Sequence, residues 1–150
     1  MSSDFETKLR AASLRVTRPR LAVLAALRDR PHIDTETVIS LVRVELPAVS
    51  HQAVYDVLRV LTDVGLVRRI QPAGATARYE SRVGDNHHHA VCRSCGAITD
   101  VDCVVGHAPC LAASAGHGYV VDEAEVVFWG VCPDCATVRT LNESVGSEGS

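Results

Sequence analysis

Hydrophobic positions in the first third of the chain recur at helical spacing and stop at prolines. Leu21, Leu24, Ala25 and Leu27 fall on one helix face, with Thr17 placed to cap the helix, Pro19 in its first turn and Pro31 beyond its end. Asp34 stands in the same capping position before Val38, Ile39, Val42 and Leu46, a stripe closed by Pro47. A third run, Val54, Val57, Leu58 and Leu61, starts after Ser50 and ends at Gly65. LVRRIQ, PAGA and TARYE then read as strand, turn and strand. Three short helices followed by a hairpin predict a winged helix-turn-helix.

The pattern changes after residue 80. Residues 81–86, SRVGDN, are polar, contain Gly84 and lack periodicity, which places a hinge there. Beyond it, HAV and AITDV predict short strands around a cysteine pair, and CVVGHAPCLAASAGHG a helix interrupted by Gly106 and Pro109. DEAEVVFWGV predicts a further strand, and LNESVGSEGS a disordered tail. The expected organisation is a winged-helix DNA-binding domain over residues 1–80, a hinge over 81–86, a small α/β domain over 87–140 and a tail over 141–150. The fold class is α+β.

Composition adds a constraint. With 150 residues and 4% aromatic side chains, each of two small domains has a thin core that a staple would help. No run approaches a membrane span, and MSSDFETKLR is too polar for a signal peptide, so a cytoplasmic protein without a membrane partner is expected. In a reducing compartment six cysteines point to metal or redox chemistry rather than disulfides. The net charge of −3 hides an asymmetry. Residues 1–83 carry Lys8 and twelve arginines against nine acidic side chains, a balance of +4, whereas the remainder carries two arginines against nine acids, a balance of −7. A basic half suits phosphates, and an acidic half rich in cysteine and histidine suits cations.

Cys92, Cys95, Cys132 and Cys135 form two Cys-x-x-Cys pairs, each able to aim two sulfurs at one ion. Four thiolates favour a closed, tetrahedral structural zinc site. A dithiol redox pair is the alternative, made less simple by the second matching pair. Cys103 and Cys110 are left over and read as small buried hydrophobes.

The zinc leaves three consecutive histidines unused. In an extended segment His87 and His89 point to one side and His88 to the other, so one ion can take the first two but hardly all three. Glu80 and Asp100 are candidate carboxylates, and His32 would draw the other half of the chain into the site. Imidazole with carboxylate suits Fe²⁺, Mn²⁺ or Zn²⁺. On the third helix, the apolar stripe leaves His51, Gln52, Tyr55 and Arg59 outward, as a major-groove helix requires. Arg68, Arg69 and Arg78 on the hairpin, with Arg15, Arg18 and Arg20 upstream, could hold the phosphate backbone of double-stranded DNA. Asp56 would repel phosphate if it faced the groove. An enzyme is not expected, since neither H-E-x-x-H nor a nucleophile elbow is present. A zinc-dependent hydrolase or redox enzyme, and a zinc-stapled interaction module that never touches DNA, are the rival classes.

In order along the chain, RVTRPRLAVLAAL, QAVYDVLRVLTDVGLVRRI, ARYE, HHHAVCRSCGAITDVD and FWGVCPDC resemble the ferric uptake regulator (Fur) family, most closely the actinobacterial FurA type that accompanies catalase-peroxidase. The resemblance runs to about residue 138. It implies a homodimeric, metal-dependent repressor with a C-terminal dimerisation domain, controlling oxidative-stress or iron genes. By position it puts the regulatory metal on His32, Glu80, His87, His89 and Asp100, and Tyr55 at the family's base-contacting tyrosine; with the residues read from the helix face, the expected DNA contacts are Arg18, Arg20, Ser50, His51, Gln52, Tyr55 and Arg59. Asp56 stands where an arginine is common. A further site found in some members does not carry over, because Asn86 and Ala124 stand where histidine is usual. Only His88 and His107 remain for it, with Glu123 or Glu125 needed to help, so that site is expected to be absent or weak.

Overall fold

The computed structural model describes residues 2–81, 87–102, 117–121 and 124–145. The chain divides into two units, Met1–Gly84 and Asp85–Ser150. The expected leftover thiols Cys103 and Cys110, the interrupted helix over most of 103–118, most of the hinge, and His107, Asn86 and Glu123 lie outside the described residues.

The first unit is built from α1 (Ser2–Ala11), α2 (Arg18–Asp29), α3 (Thr35–Glu45), α4 (His51–Asp63), β1 (Arg68–Ile70) and β2 (Arg78–Glu80). Three side chains cap the helices predicted from the sequence. Thr17 accepts from the Arg20 N–H at 3.4 Å, Asp34 from Thr37 at 2.9 Å and Ser50 from Ala53 at 3.1 Å, each satisfying a helix-end donor that has no partner within the helix. Thr37 Oγ1 also donates to Asp34, and these two bonds hold the Asp34 carboxyl below its ordinary range. Gly65, at φ 79°, supplies the left-handed turn that closes α4.

The core collects Val23, Leu24 and Leu27 from α2, Val38, Ile39 and Val42 from α3, and Val54, Leu58 and Leu61 from α4. Two expected positions shift: Leu21 and Ala25 sit at the rim of the core, and Ala22 and Val23 take the buried face of α2. Helix α1 was not anticipated. Its signal is Phe5 and Leu9, one turn apart and both buried, with the ion pairs Asp4–Lys8 at 3.0 Å and Glu6–Arg10 at 3.2 Å along its exposed side. β1 and β2 pair antiparallel, Arg68 opposite Glu80 and Ile70 opposite Arg78.

The second unit contains β3 (His87–Cys92), β4 (Ile98–Asp102), β5 (Val127–Gly130) and α5 (Pro133–Val145). The strand order is β4-β3-β5, with β4 antiparallel and β5 parallel to the central β3. Two expectations need correction here. Among the described residues of the strand predicted over 122–131, only Val127–Gly130 form β5, which pairs with β3 from His89 to Cys92, where β3 gives way to the knuckle turn. The tail predicted to be disordered from residue 141 is helical through Val145. α5 starts on Pro133, favoured in a first turn, and the Cys132 carbonyl accepts from the Ala136 N–H at 2.8 Å to open it.

Leu58 is one of the three α4 side chains buried in this core. Leu58→Ala is expected to cost about 2–5 kcal/mol of stability. Denaturant unfolding followed by far-UV circular dichroism checks this; a loss under about 1 kcal/mol would mean that α4 is held otherwise.

Candidate functional site

The two cysteine pairs meet in the second unit. Cys92 ends β3 and Cys95 lies on the turn after it, which Gly96 permits at φ 76°. Cys132 precedes α5 and Cys135 lies in its first turn. The Arg93 N–H donates to the Gly130 carbonyl at 2.8 Å and so ties the first knuckle to the end of β5. All four sulfurs lie within 4.8 Å of one another, and Cys95 Sγ is 3.8 Å from Cys132 Sγ. A tetrahedron with arms of about 2.3 Å has edges of about 3.8 Å, so these donors fit zinc.

Backbone donors favour ionised sulfur here. The N–H groups of Cys132, at 3.3 Å, and Cys95, at 3.5 Å, point at Cys92 Sγ and hold its thiol at about 6, against an ordinary 9.0. Cys135 is pushed up to about 12 by the neighbouring sulfurs of Cys132 and Cys95, with which it would share a proton. A sulfur cluster in which protons are shared in this way binds a cation readily once those protons leave.

Imidazole and carboxylate donors occur in each unit. In the first, His32 Nε2 lies 2.9 Å from Glu80 Oε2, and the Glu80 side chain is 0% exposed. In the second, Asp100 Oδ1 lies 3.4 Å from both His87 Nε2 and His89 Nε2, because Asp100 stands opposite His89 in the β3–β4 register. His87 and His89 share a face of β3, their rings 5.0 Å apart. His88 points elsewhere and accepts from the Val126 N–H at 3.4 Å through Nδ1. A buried carboxylate beside imidazole, and a carboxylate shared by two imidazoles, are both donor sets for a borderline divalent ion.

The third group is the outward face of α4. Ser50, His51, Gln52, Tyr55, Asp56 and Arg59 are all exposed, with Tyr55 at 47%. Asp56 lies among them, and sequence reasoning missed what it does there. It accepts from Gln52 Nε2 at 3.0 Å and pairs with Arg59 Nη2 at 3.6 Å, so its charge is balanced locally and both neighbours are oriented. Tyr55, Arg59 and Thr62 of α4 and Arg69 of β1 line a groove of about 430 Å³. Of the arginines placed on phosphate by sequence, Arg15, Arg18 and Arg69 are exposed, while Arg20 donates to the Arg15 carbonyl at 2.7 Å. Arg78 is half-buried and donates to the His32 carbonyl at 3.2 Å.

The sequence of residues 11–126 matches the Ferric uptake regulator family. The chain belongs to the ferric uptake regulator family. It is similar to the transcriptional regulator FurA of Mycobacterium tuberculosis, 66% identical over 137 residues that cover 91% of this chain and 93% of that protein. Ferric uptake regulation protein 1 of Mycolicibacterium fortuitum is 60% identical over 141 residues, covering 94% and 88%. Among solved structures, the ferric uptake regulator Fur of Helicobacter pylori shares the fold with a TM-score of 0.66 at 16% identity, over 89% of this chain and 90% of that one. The family member described here is therefore a metal-responsive transcriptional regulator and not an enzyme. None of the helices among the described residues is long and apolar enough to cross a membrane.

Trp129, the single tryptophan, stands three residues before Cys132 with the Arg93 guanidinium 5.1 Å from its ring. Stripping zinc with a strong chelator, or Cys135→Ser, is expected to shift Trp129 emission to longer wavelength and to release about one zinc per chain. The helical signal of the first unit should persist. Unchanged emission after complete zinc loss would show that the sulfur cluster does not hold the second unit together.

Proposed function

We propose that the protein is a metal-dependent, DNA-binding repressor that acts as a homodimer, with a structural zinc on Cys92, Cys95, Cys132 and Cys135. In this reading one regulatory divalent ion, Fe²⁺, Mn²⁺ or Zn²⁺, takes its ligands from His32 and Glu80 in the first unit and from His87, His89 and Asp100 in the second. The observation that carries it is the presence, in each unit, of buried imidazole joined to a carboxylate. A donor set divided between two units gives the ion differential affinity for one arrangement of the pair, which is what a metal switch requires. When bound, the ion supplies positive charge that satisfies the buried carboxylate.

The protein side of DNA recognition falls to α4. Gln52, Tyr55 and Arg59 are set to meet base edges and backbone in the major groove, with Arg18 and Arg69 on flanking phosphates. Likeness to a ferric uptake regulation protein supports control of iron genes, and control of oxidative-stress genes is the alternative that the peroxide experiment below tests. No further metal site is proposed at His88, whose Nδ1 is engaged by Val126; His107 lies outside the described residues.

Retardation of promoter DNA across a panel of divalent ions tests the reading. Binding is expected to require a second ion beyond the zinc and to weaken in His89→Ala. Tight binding by protein holding zinc alone would overturn it. The iron and manganese forms, treated with peroxide and mapped by peptide mass, decide whether peroxide is sensed. Oxygen added to His87 or His89 only with iron supports sensing, and equal inertness leaves a sufficiency regulator.

Arg59→Ala is expected to lower the slope of log affinity against log salt by about one, the share of a single phosphate contact. An unchanged slope and affinity would move the recognition face elsewhere.

A further inference from the structure

The loop between α2 and α3 carries a histidine in the left-handed region, His32 at φ 59°. A residue with a Cβ stays there only when its surroundings hold it. Here the backbone is held on both sides. The His32 N–H donates to the Tyr79 carbonyl at 3.0 Å, and the Tyr79 N–H donates to the Ile33 carbonyl at 2.9 Å, which lays residues 32 and 33 along the free edge of β2. The His32 carbonyl in turn accepts from Arg78 Nη1 at 3.2 Å. Arg78 belongs to β2, one residue before Tyr79 and two before Glu80. Its charge also reaches the Asp34 carboxylate that caps α3.

We propose that Arg78 is the positioning residue of the regulatory metal site: its guanidinium locks the His32 carbonyl and so presents the His32 imidazole to the Glu80 carboxylate. The inference rests on reading His32 and Glu80 as metal ligands. It assigns Arg78 a task different from the phosphate clamp that its charge and its place on the hairpin suggest. A guanidinium offers several donors in a rigid plane, and one of them here holds a carbonyl 46 residues away in sequence. Without it, the left-handed turn can relax toward extended backbone, which swings the imidazole away from Glu80. The two ligands and the wing strand thus form one body, and an ion bound to His32 and Glu80 stiffens β2 from the edge opposite β1. Wing and metal are coupled inside the first unit before any second chain is considered.

The test uses the full-length, zinc-loaded protein and the variants Arg78→Gln and Arg78→Lys. In protein without the second ion, amide hydrogen exchange at His32 and Tyr79 is expected to rise about tenfold in Arg78→Gln, the loss of one charge-assisted hydrogen bond. Arg78→Lys, which keeps a charged donor, should fall between Arg78→Gln and the wild type and serves if Arg78→Gln fails to fold. Titration with Mn²⁺ in the absence of DNA should show about tenfold weaker binding in Arg78→Gln than in wild type. Unchanged exchange and unchanged Mn²⁺ affinity, together with a salt slope of DNA binding reduced by about one, would overturn the proposal and return Arg78 to the phosphate backbone. If wild-type protein takes up no second ion, the reading of the ligands fails instead, and the exchange measurement still decides what Arg78 does.

Discussion

A carboxyl group with no exposed surface needs a polar partner beside it, and Glu80 has one in His32, whose Nε2 lies 2.9 Å away. The pairing constrains much of the first unit. It requires the loop after α2 to turn back onto β2, it places His32 in a conformation that few residues adopt, and it leaves the backbone of residues 32 and 33 to be satisfied by Tyr79. In the proposed reading, a divalent ion shared by both side chains supplies positive charge there and ties the loop to β2, a tie that its loss would remove, as a metal switch requires.

The second unit solves a different problem by related means. Its sheet is small, and β5 exposes Phe128 and Trp129 at 51% and 39%. Packing among the described strands is a weak constraint, and four sulfurs around one ion would supply a stronger one. Backbone N–H groups aimed at Cys92 prepare the first knuckle to hold negative charge, while the histidine face of β3 is left to another cation. Sulfur and nitrogen donors are thus separated along β3, with Cys92 at its end and His87 and His89 nearer its start. In the proposed reading, that separation lets a structural ion and a regulatory one be held without competing for donors.

The exposed face of α4 shows how local pairing changes the meaning of a charge. An aspartate in the middle of a nucleic-acid face would ordinarily repel phosphate. Asp56 instead accepts from Gln52 and pairs with Arg59, which orients two groups that would otherwise sample many rotamers. Arg20 and Arg78 make the complementary point, since both engage backbone carbonyls of their own chain.

The sequence by itself determined what depends on near neighbours. Capping by Thr17, Asp34 and Ser50, the buried stripes of α3 and α4, the turn at Gly65, the two cysteine pairs and the opposite facing of His88 follow from residue type and from periods of 3.6 and 2.0. What only the tertiary structure decided depends on residues far apart in the chain. The pairing of loop 31–33 with β2, the direction of Arg78 and the extent of β5 are settled by which strand edge or carbonyl lies within reach. A side chain's chemistry says which partners it can accept, and only the folded backbone brings one of them to hydrogen-bonding distance.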